Sequence, residues 1–137
     1  MGQLALTDTN ALYGAVTFSR ACLARGILPI LGMLVTVAPP AEAVGLADEG
    51  PGQLVLLATG PAGYKSLCRL SSAIQGTAQR LQVAQNGVGW ELLAGHREGL
   101  LALSGGRWGW AERLVRAGNG GAGTCTPNGI RTRAATL

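Results

Sequence analysis

An acidic residue directly after a short apolar run is the feature of this sequence that most clearly indicates chemistry. Residues 3–7 are mostly apolar, Asp8 follows them, and an amphipathic stretch begins a few residues later. In α/β proteins a parallel strand of this kind delivers its last side chains to the carboxyl edge of the sheet, where reactions usually take place. Asp8 is therefore a candidate metal ligand. The alternative is that Asp8 or Asn10 caps the next helix by accepting bonds from its first amides.

His96, the one histidine of the chain, is the second residue with useful chemistry. An imidazole can titrate near neutral pH or bind a metal, but a polar turn at residues 95–99 surrounds it and favours a solvated loop position. Divalent metals need several converging ligands, about four for zinc. Asp8 and His96 alone do not supply that number, and the sequence assigns no catalytic residue.

The composition indicates a chain that buries an unusually large share of its residues. Hydrophobic residues make up 47% of the 137 residues and charged residues only 13%, where about 25% charged is typical of soluble domains. This excess of apolar residues is typical of a segment that is buried against other parts of a larger protein. The net charge is +4, but the arginines form no dense block with interleaved aromatic rings, so we expect no direct contact with DNA.

Cysteine usage predicts a reducing compartment. Cys22, Cys68 and Cys125 are odd in number, far apart and without a paired spacing. A disulfide framework or a cysteine-rich metal site is therefore not expected. We predict a cytoplasmic protein.

An apolar run at residues 27–38 allows two interpretations. Arginines precede it and small residues at 41–43 follow it, an arrangement that resembles the core and cleavage site of a secretory signal. The run contains Pro29 and Gly32 and is too short to cross a bilayer. A buried strand without a membrane partner is the favoured interpretation, and an exported protein is the alternative.

The elements that would position these residues alternate between strand and helix. Apolar periodicity and breaker residues predict strands at 3–7, 27–37, 53–59 and 99–104, and helices after Asn10 up to Gly26 and at 61–75, 90–95 and 108–116. Residues 41–52 read as a loop, and residues 76–89 stay ambiguous, a loop that could hold a turn of helix. The alternation predicts an α/β fold with about four mainly parallel strands and flanking helices. A glycine-rich linker and an unstructured tail are predicted at residues 119–137.

Three blocks of sequence, taken together, resemble the polymerase-and-histidinol-phosphatase (PHP) domain at the start of bacterial DNA polymerase III alpha subunits, of replicative or error-prone type. The blocks are LALTD with LYGAV within residues 4–16 and GILPILG at 26–32, LVLLA at 54–58 with GYKSLCRL at 63–70, and ELLA at 91–94 with HREGLLALSG at 96–105. Their order and spacing resemble those of the family over residues 3–117.

The resemblance implies both a fold and a range of functions. The fold is a distorted, TIM-like barrel of seven strands, of which residues 1–118 would form a partial domain. Intact members hold a divalent metal cluster (Mg, Mn or Zn) at the strand ends and can cleave phosphoesters or proofread 3′–5′, whereas members with an eroded site are structural. The parent would be a DNA-directed DNA polymerase, a nucleotidyltransferase of DNA replication, whose partners are the rest of the alpha subunit and other replisome subunits.

The sequence departs from the family pattern at the metal site. An opening strand with paired histidines has no counterpart, Thr9 stands where histidine is frequent, Leu34 replaces a carboxylate, and Gly106 replaces a cysteine. Only Asp8 carries over as a ligand. The sequence therefore predicts a fragment truncated at both ends, with no cofactor of its own, and residues 126–137 are interpreted as an out-of-frame tail.

Three functions remain open at this point, and so does the question of whether the chain is an enzyme. The first is a non-catalytic fragment of the PHP domain of a replication polymerase. The second is a metal-dependent PHP-type phosphoesterase or 3′–5′ exonuclease that uses Asp8 and His96. The third is a small exported protein with residues 27–38 as its signal core.

Overall fold

The computed structural model describes residues 1–43, 50–76, 78 and 80–117. Within these residues the strands are β1 (Gln3–Thr9), β2 (Leu28–Val37), β3 (Gly52–Ala58) and β4 (Leu100–Leu103). The α-helices are α1 (Ala15–Leu23), α2 (Pro61–Gln75), α3 (Arg80–Asn86), α4 (Trp90–Ala94) and α5 (Trp110–Ala117), and single 3-10 turns occupy Ala41–Ala43 and Gly106–Trp108. The predicted linker and tail, with Cys125, lie outside the described residues.

Local sequence signals explain where the longest helix lies. Pro61 opens α2, a position where its missing amide costs nothing. Leu67, Leu70 and Ile74 recur at three- and four-residue spacing and are buried on one face of the helix, as predicted. The stretch at 76–89, which the sequence left ambiguous, contains the short helix α3, and α3 has no buried residue.

The sheet has the strand order β1-β2-β3-β4. Strands β1 and β2 pair in parallel and are joined by α1, the crossover that a parallel pair requires. Strand β3 pairs antiparallel with both β2 and β4. The predicted α/β class is confirmed, whereas the prediction of a mainly parallel sheet is wrong for the pairing of the described strands.

The path of the chain between strands explains the reversal of β3. The described part of the β2–β3 connection contains the 3-10 turn at Ala41–Ala43 and no α-helix, and β3 begins beside the end of β2, where Gly52 pairs with Val37. Between β3 and β4 the chain makes two passes. Helix α2 returns it to the end of β2, where Val88 bridges Val37, and a second pass brings it to Gly99, which bonds to Thr59 after β3. Each pass along the sheet reverses the direction of the chain. After two passes β4 therefore runs opposite to β3, and the two strands pair antiparallel.

The helices cover one face of the sheet. Met33, Val35 and Val37 of β2 alternate with half-buried neighbours and form the core with α2 and Trp110. On the other face Leu101 and Leu103 of β4 are 51% and 46% exposed. The sheet of the described residues is open, with β1 and β4 at its edges.

Trp110, the first residue of α5, packs against the end of β2 and the start of β3. The indole Nε1 of Trp110 donates to the carbonyl of Val37 at 3.1 Å, and the ring lies against Gly52 so closely that a Cβ atom there would overlap it. Arg113 lies over the same ring, 4.9 Å from its centroid, and donates to the carbonyl of Gly50 at 3.0 Å.

The apolar run at 27–38 contains β2, one of the two inner strands of the sheet that the structure describes. This agrees with the buried-strand interpretation of the run. Among the helices of the described residues, none has the length and hydrophobicity that crossing a membrane demands.

Candidate functional site at the carboxyl ends of β1 and β2

Asp8 lies near the end of β1, opposite Met33 of β2. Its Oδ2 accepts a hydrogen bond of 2.7 Å from the amide of Gly14, the residue that precedes α1. A negative charge at the amino end of a helix is stabilised by the partial positive charge of the first amides. The carboxylate therefore stabilises the start of α1. This differs from the predicted cap in one respect, because the amide that it accepts from belongs to the N-cap residue Gly14 and not to the first turn of the helix.

Gly14 lies close to the side chains of Leu6 and Asp8 on β1. A Cβ atom on Gly14 would lie 2.9 Å from Cδ2 of Leu6 and 3.3 Å from Oδ2 of Asp8. A larger residue would therefore require the Leu6 side chain to shift and would crowd the carboxylate of Asp8. The absence of a side chain on Gly14 thus allows its amide to reach the carboxylate of Asp8.

Asn10 does not cap the helix, contrary to one of the two capping alternatives. Its side chain bonds twice to Thr36 of β2: Oδ1 accepts from the Thr36 amide at 2.9 Å and Nδ2 donates to Oγ1 at 2.9 Å. Asn10 is only 8% exposed and has a positive φ of 53°, a conformation that asparagine adopts more readily than most residues.

Gln75, the last residue of α2, joins the same cluster. Its Nε2 donates to the main-chain carbonyl of Asn10 at 2.9 Å, and its Oε1 accepts from the hydroxyl of Tyr13 at 3.3 Å. We call Asn10, Tyr13, Thr36 and Gln75 the rim network. Sequence reasoning missed it because the partners of Asn10 lie 26 and 65 residues away, and no local pattern marks such pairs.

The described residues do not fit a divalent metal cluster. The part of the chain that the structure describes contains no group of three or more His, Cys, Asp or Glu side chains able to share an ion. The β2 residues opposite Asp8 and Thr9 are Met33 and Leu34, and neither supplies the hard oxygen ligands that Mg²⁺ or Mn²⁺ prefers. Asp8 as a metal ligand stays a prediction.

The structure does not bring His96 to Asp8. Asp8 is on the edge strand β1, whereas His96 lies in the connection before the opposite edge strand β4, with β2 and β3 between them. Three strand spacings amount to about 14 Å. The imidazole Nδ1 is 2.8 Å from the carbonyl of Leu92, so this ring nitrogen has a local partner within α4.

The helix-covered face also contains a shallow pocket of about 220 Å³. Its lining is almost wholly aliphatic, with Leu54, Leu56, Leu93 and Leu100 among the wall residues and Arg97 as the charged one. It brings together no nucleophile, acid and base. The pocket therefore offers no catalytic chemistry, and the strand ends beside Asp8 remain the candidate site.

Comparison with known proteins identifies the family. The sequence profile of the PHP domain matches residues 1–136. A DNA polymerase III subunit alpha of Bacillus subtilis (strain 168) is 36% identical over 118 residues, which is 84% of this chain and 9% of that protein. An error-prone DNA polymerase of Symbiobacterium thermophilum is 37% identical over 134 residues, 86% of this chain and 11% of that protein. A DNA polymerase III subunit alpha of Thermus aquaticus is 37% identical over 109 residues, 74% of this chain and 8% of that protein.

The chain thus spans about a tenth of the length of the curated relatives it matches. The three sequence blocks, the strand–helix order and the profile match all agree. The resemblance seen in the sequence is confirmed, and the chain belongs to the PHP domain family, in the form found in DNA polymerase III alpha subunits and error-prone DNA polymerases.

Proposed function

We propose that this chain is a non-catalytic segment of the PHP domain of a DNA polymerase III alpha subunit, and that it acts in DNA replication as a structural platform. In this proposal its sheet is part of a PHP barrel completed by further strands. Its partners are the rest of the polymerase alpha subunit and other replisome subunits, and its location is the cytoplasm.

The arrangement beside Asp8 carries the proposal. Hydrolysis of a phosphodiester by a metal centre needs several ligands that hold the ion and a nucleophilic water. Among the described residues at the carboxyl ends of β1 and β2, Asp8 contributes a carboxylate that is already bonded to Gly14, and the rim network contributes neutral amides and hydroxyls. These hydrogen-bonding groups join β1 to β2, α1 and α2, and they do not form the set of ligands that a hydrolytic metal ion needs.

The arginines near the end of the described chain support the absence of direct DNA contact in this proposal. Arg107 lies 5.7 Å from the ring centroid of Trp108, Arg113 covers Trp110, and Arg116 pairs with Glu112 at 2.9 Å. Each arginine has a partner within its own helix or turn. A DNA-binding stripe would instead present unpaired cations along one surface.

Hydrolysis and metal content test the proposal directly. The full chain is incubated with Mg²⁺, Mn²⁺ or Zn²⁺ and bis(p-nitrophenyl) phosphate, and its bound metal is measured after gel filtration. We expect a hydrolysis rate equal to that of metal without protein, and less than stoichiometric metal. The same assays on Asp8→Asn are expected to give unchanged values.

A matched control separates a true site from adventitious metal. Glu42→Gln removes an exposed carboxylate from the 3-10 turn after β2. Stoichiometric metal and hydrolysis that disappear in Asp8→Asn but persist in Glu42→Gln would overturn the non-catalytic proposal in favour of a phosphoesterase.

A chimera tests the platform role. The matching segment of the Bacillus subtilis alpha subunit is replaced with this chain, and primer extension and thermal stability are measured. We expect polymerase activity to be retained, since the segment supplies shape and contacts. Loss of primer extension in a chimera that remains folded would contradict a role as an interchangeable platform.

A further inference from the structure

The hydrogen bonds around Asn10 continue the β-ladder beyond the end of β1. The main-chain amide of Asn10 donates to the carbonyl of Leu34 at 2.8 Å, as the next residue of a parallel strand would. In a continuing parallel ladder the amide of Thr36 would then bond to the main-chain carbonyl of the same residue. Oδ1 of Asn10 takes that place instead, at 2.9 Å from the Thr36 nitrogen.

This substitution frees the main-chain carbonyl of Asn10 for α2. The positive φ of 53° turns the backbone out of the strand direction, and the carbonyl accepts from Nε2 of Gln75 at 2.9 Å. One asparagine therefore joins the end of β1 to β2 and to the last residue of α2.

Val88 bonds to the same edge of β2 as Asn10, at the residues that follow Leu34 along the strand. Its amide donates to the carbonyl of Thr36 at 2.7 Å, and its carbonyl accepts from the amide of Ala38 at 2.9 Å. The β2 backbone groups that face this edge from Leu34 to Ala38 are thus paired by Asn10 and Val88.

The chemistry of the rim network opposes a cation. Nδ2 of Asn10 and Nε2 of Gln75 each point an N–H at an oxygen of the cluster, and so occupy lone pairs that a cation would need. Hard cations such as Mg²⁺ are bound by carboxylates and carbonyl oxygens. Asn10, Thr36 and Gln75 carry no charge.

We propose that the rim network replaces divalent metal ions as the feature that fastens the carboxyl ends of β1 and β2 to α2. The inference rests on the proposed function, because a hydrolytic PHP site would keep metal ligands at these strand ends. Its consequence is that folding stability depends on Asn10, Thr36 and Gln75 and is unchanged by metal.

Thermal unfolding of the full chain, followed by circular dichroism in chelator and in excess Mn²⁺ or Zn²⁺, tests the metal part. We expect the same Tm in all three conditions, to within about 1 °C. A structural metal present at a hundred times its Kd would raise the Tm by about 10 to 20 °C. Such a rise, abolished by Asp8→Asn, would overturn the inference.

Two variants test the network itself. Asn10→Gly removes the side-chain bonds while accepting the positive φ, and Thr36→Val removes the hydroxyl acceptor at nearly constant shape. Each is expected to lower the Tm by about 4 to 10 °C, and the double variant by less than the sum because the two residues share bonds. Asn86→Gly and Gln85→Leu, exposed on α3, are the controls and are expected to change the Tm by less than either variant.

Protease resistance supplies a second readout where unfolding is not cooperative. The half-life of the full chain should fall about five- to thirtyfold in Asn10→Gly and stay unchanged on addition of metal. Equal half-lives of Asn10→Gly and the α3 controls would overturn the inference. Asp8-dependent hydrolysis without any metal effect on Tm or half-life would overturn only the proposed function, so the two failures are distinguishable.

Discussion

Oδ2 of Asp8 lies 2.7 Å from the amide nitrogen of Gly14, and this bond ties the end of β1 to the start of α1. A bond to a charged acceptor is stronger than a neutral one. The helix dipole adds to it because the carboxylate lies at the positive end. Asp8 therefore stabilises the turn through its own contact.

Replacing Asp8 should lower stability in two graded steps. Asp8→Asn keeps an oxygen acceptor and loses the charge, so we expect a loss of about 0.5 to 1 kcal/mol in the free energy of unfolding. Asp8→Ala leaves the Gly14 amide without its partner, and the expected loss is about 1 to 2 kcal/mol. Urea denaturation of the full chain measures both.

The control for this series is Glu112→Gln, which removes an exposed carboxylate paired with Arg116 on α5. A change within about 0.5 kcal/mol is expected there. An increase in stability in Asp8→Asn is the behaviour of a strained active-site carboxylate, and it would argue against the structural role.

Gly52→Ala should detach α5 from the sheet. An added Cβ would overlap the indole of Trp110, so the ring must leave the core together with its bond to Val37. We expect a loss of about 2 kcal/mol or more, with increased hydrogen exchange in α5. Gly89→Ala, which meets no atom within 4 Å, is the matched control. Unaltered tryptophan fluorescence and stability in Gly52→Ala would show that the packing described here is wrong.

The phenol of Tyr64 should titrate at unusually alkaline pH. The hydrogen bond with the Cys68 thiol, then the electrostatic interaction with the same group and burial, raises the pKa of Tyr64 above its usual value of about 10. The folded state holds this proton more tightly than the unfolded state. The associated stabilisation is therefore present below about pH 10 and is lost as pH rises through the folded-state pKa.

Cys68→Ala should shift that titration back toward the ordinary value. Tyrosinate absorbance in a Tyr13→Phe background reports Tyr64 alone, since the chain has 2 tyrosines. Ser72→Ala, an exposed change on the same helix, should leave the titration where it is. An identical curve for Cys68→Ala and its parent would exclude the thiol as the cause.

The uncovered face of the sheet should limit the solubility of the isolated chain. Exposed edge strands and an exposed apolar surface both favour association. Leu101→Lys places a charge on the open face of β4 and should raise the soluble fraction after expression. Leu100→Lys, on the neighbouring residue that packs against the core, should lower it. A soluble monomer of residues 1–118 with a cooperative thermal transition would contradict this expectation.

The strands and the longest helix could be predicted because their signals are local. The apolar run at 27–37 and its closing prolines predicted β2 to within one residue of the observed Leu28–Val37. Pro61 and the stripe containing Leu67 and Leu70 gave α2 its observed bounds. Burial and period act over a few residues, and a sequence displays them directly.

Strand direction and the rim network could not be predicted in this way. The direction of β4 relative to β3 depends on how many times the chain crosses the sheet between residues 59 and 99, and α3 was not recognisable as a helix from its apolar pattern. The role of Asn10 depends on Thr36 and Gln75, which are adjacent only in the folded chain. Hydrogen bonds between distant residues leave no periodic trace in sequence.

The direction of β3 limits which loops can contribute side chains to one end of this sheet. One row of register partners crosses the four strands and consists of Thr9, Leu34, Val55 and Leu103. Strands β1, β2 and β4 run in the same direction, so the loops that follow them begin at the same end of the sheet. The loop after β3 emerges on the far side, where Thr59 bonds to Gly99. Acidic and histidine side chains introduced to build a site at the shared end of the sheet would therefore have to come from the loops after β1, β2 and β4, since the loop after β3 opens on the opposite side.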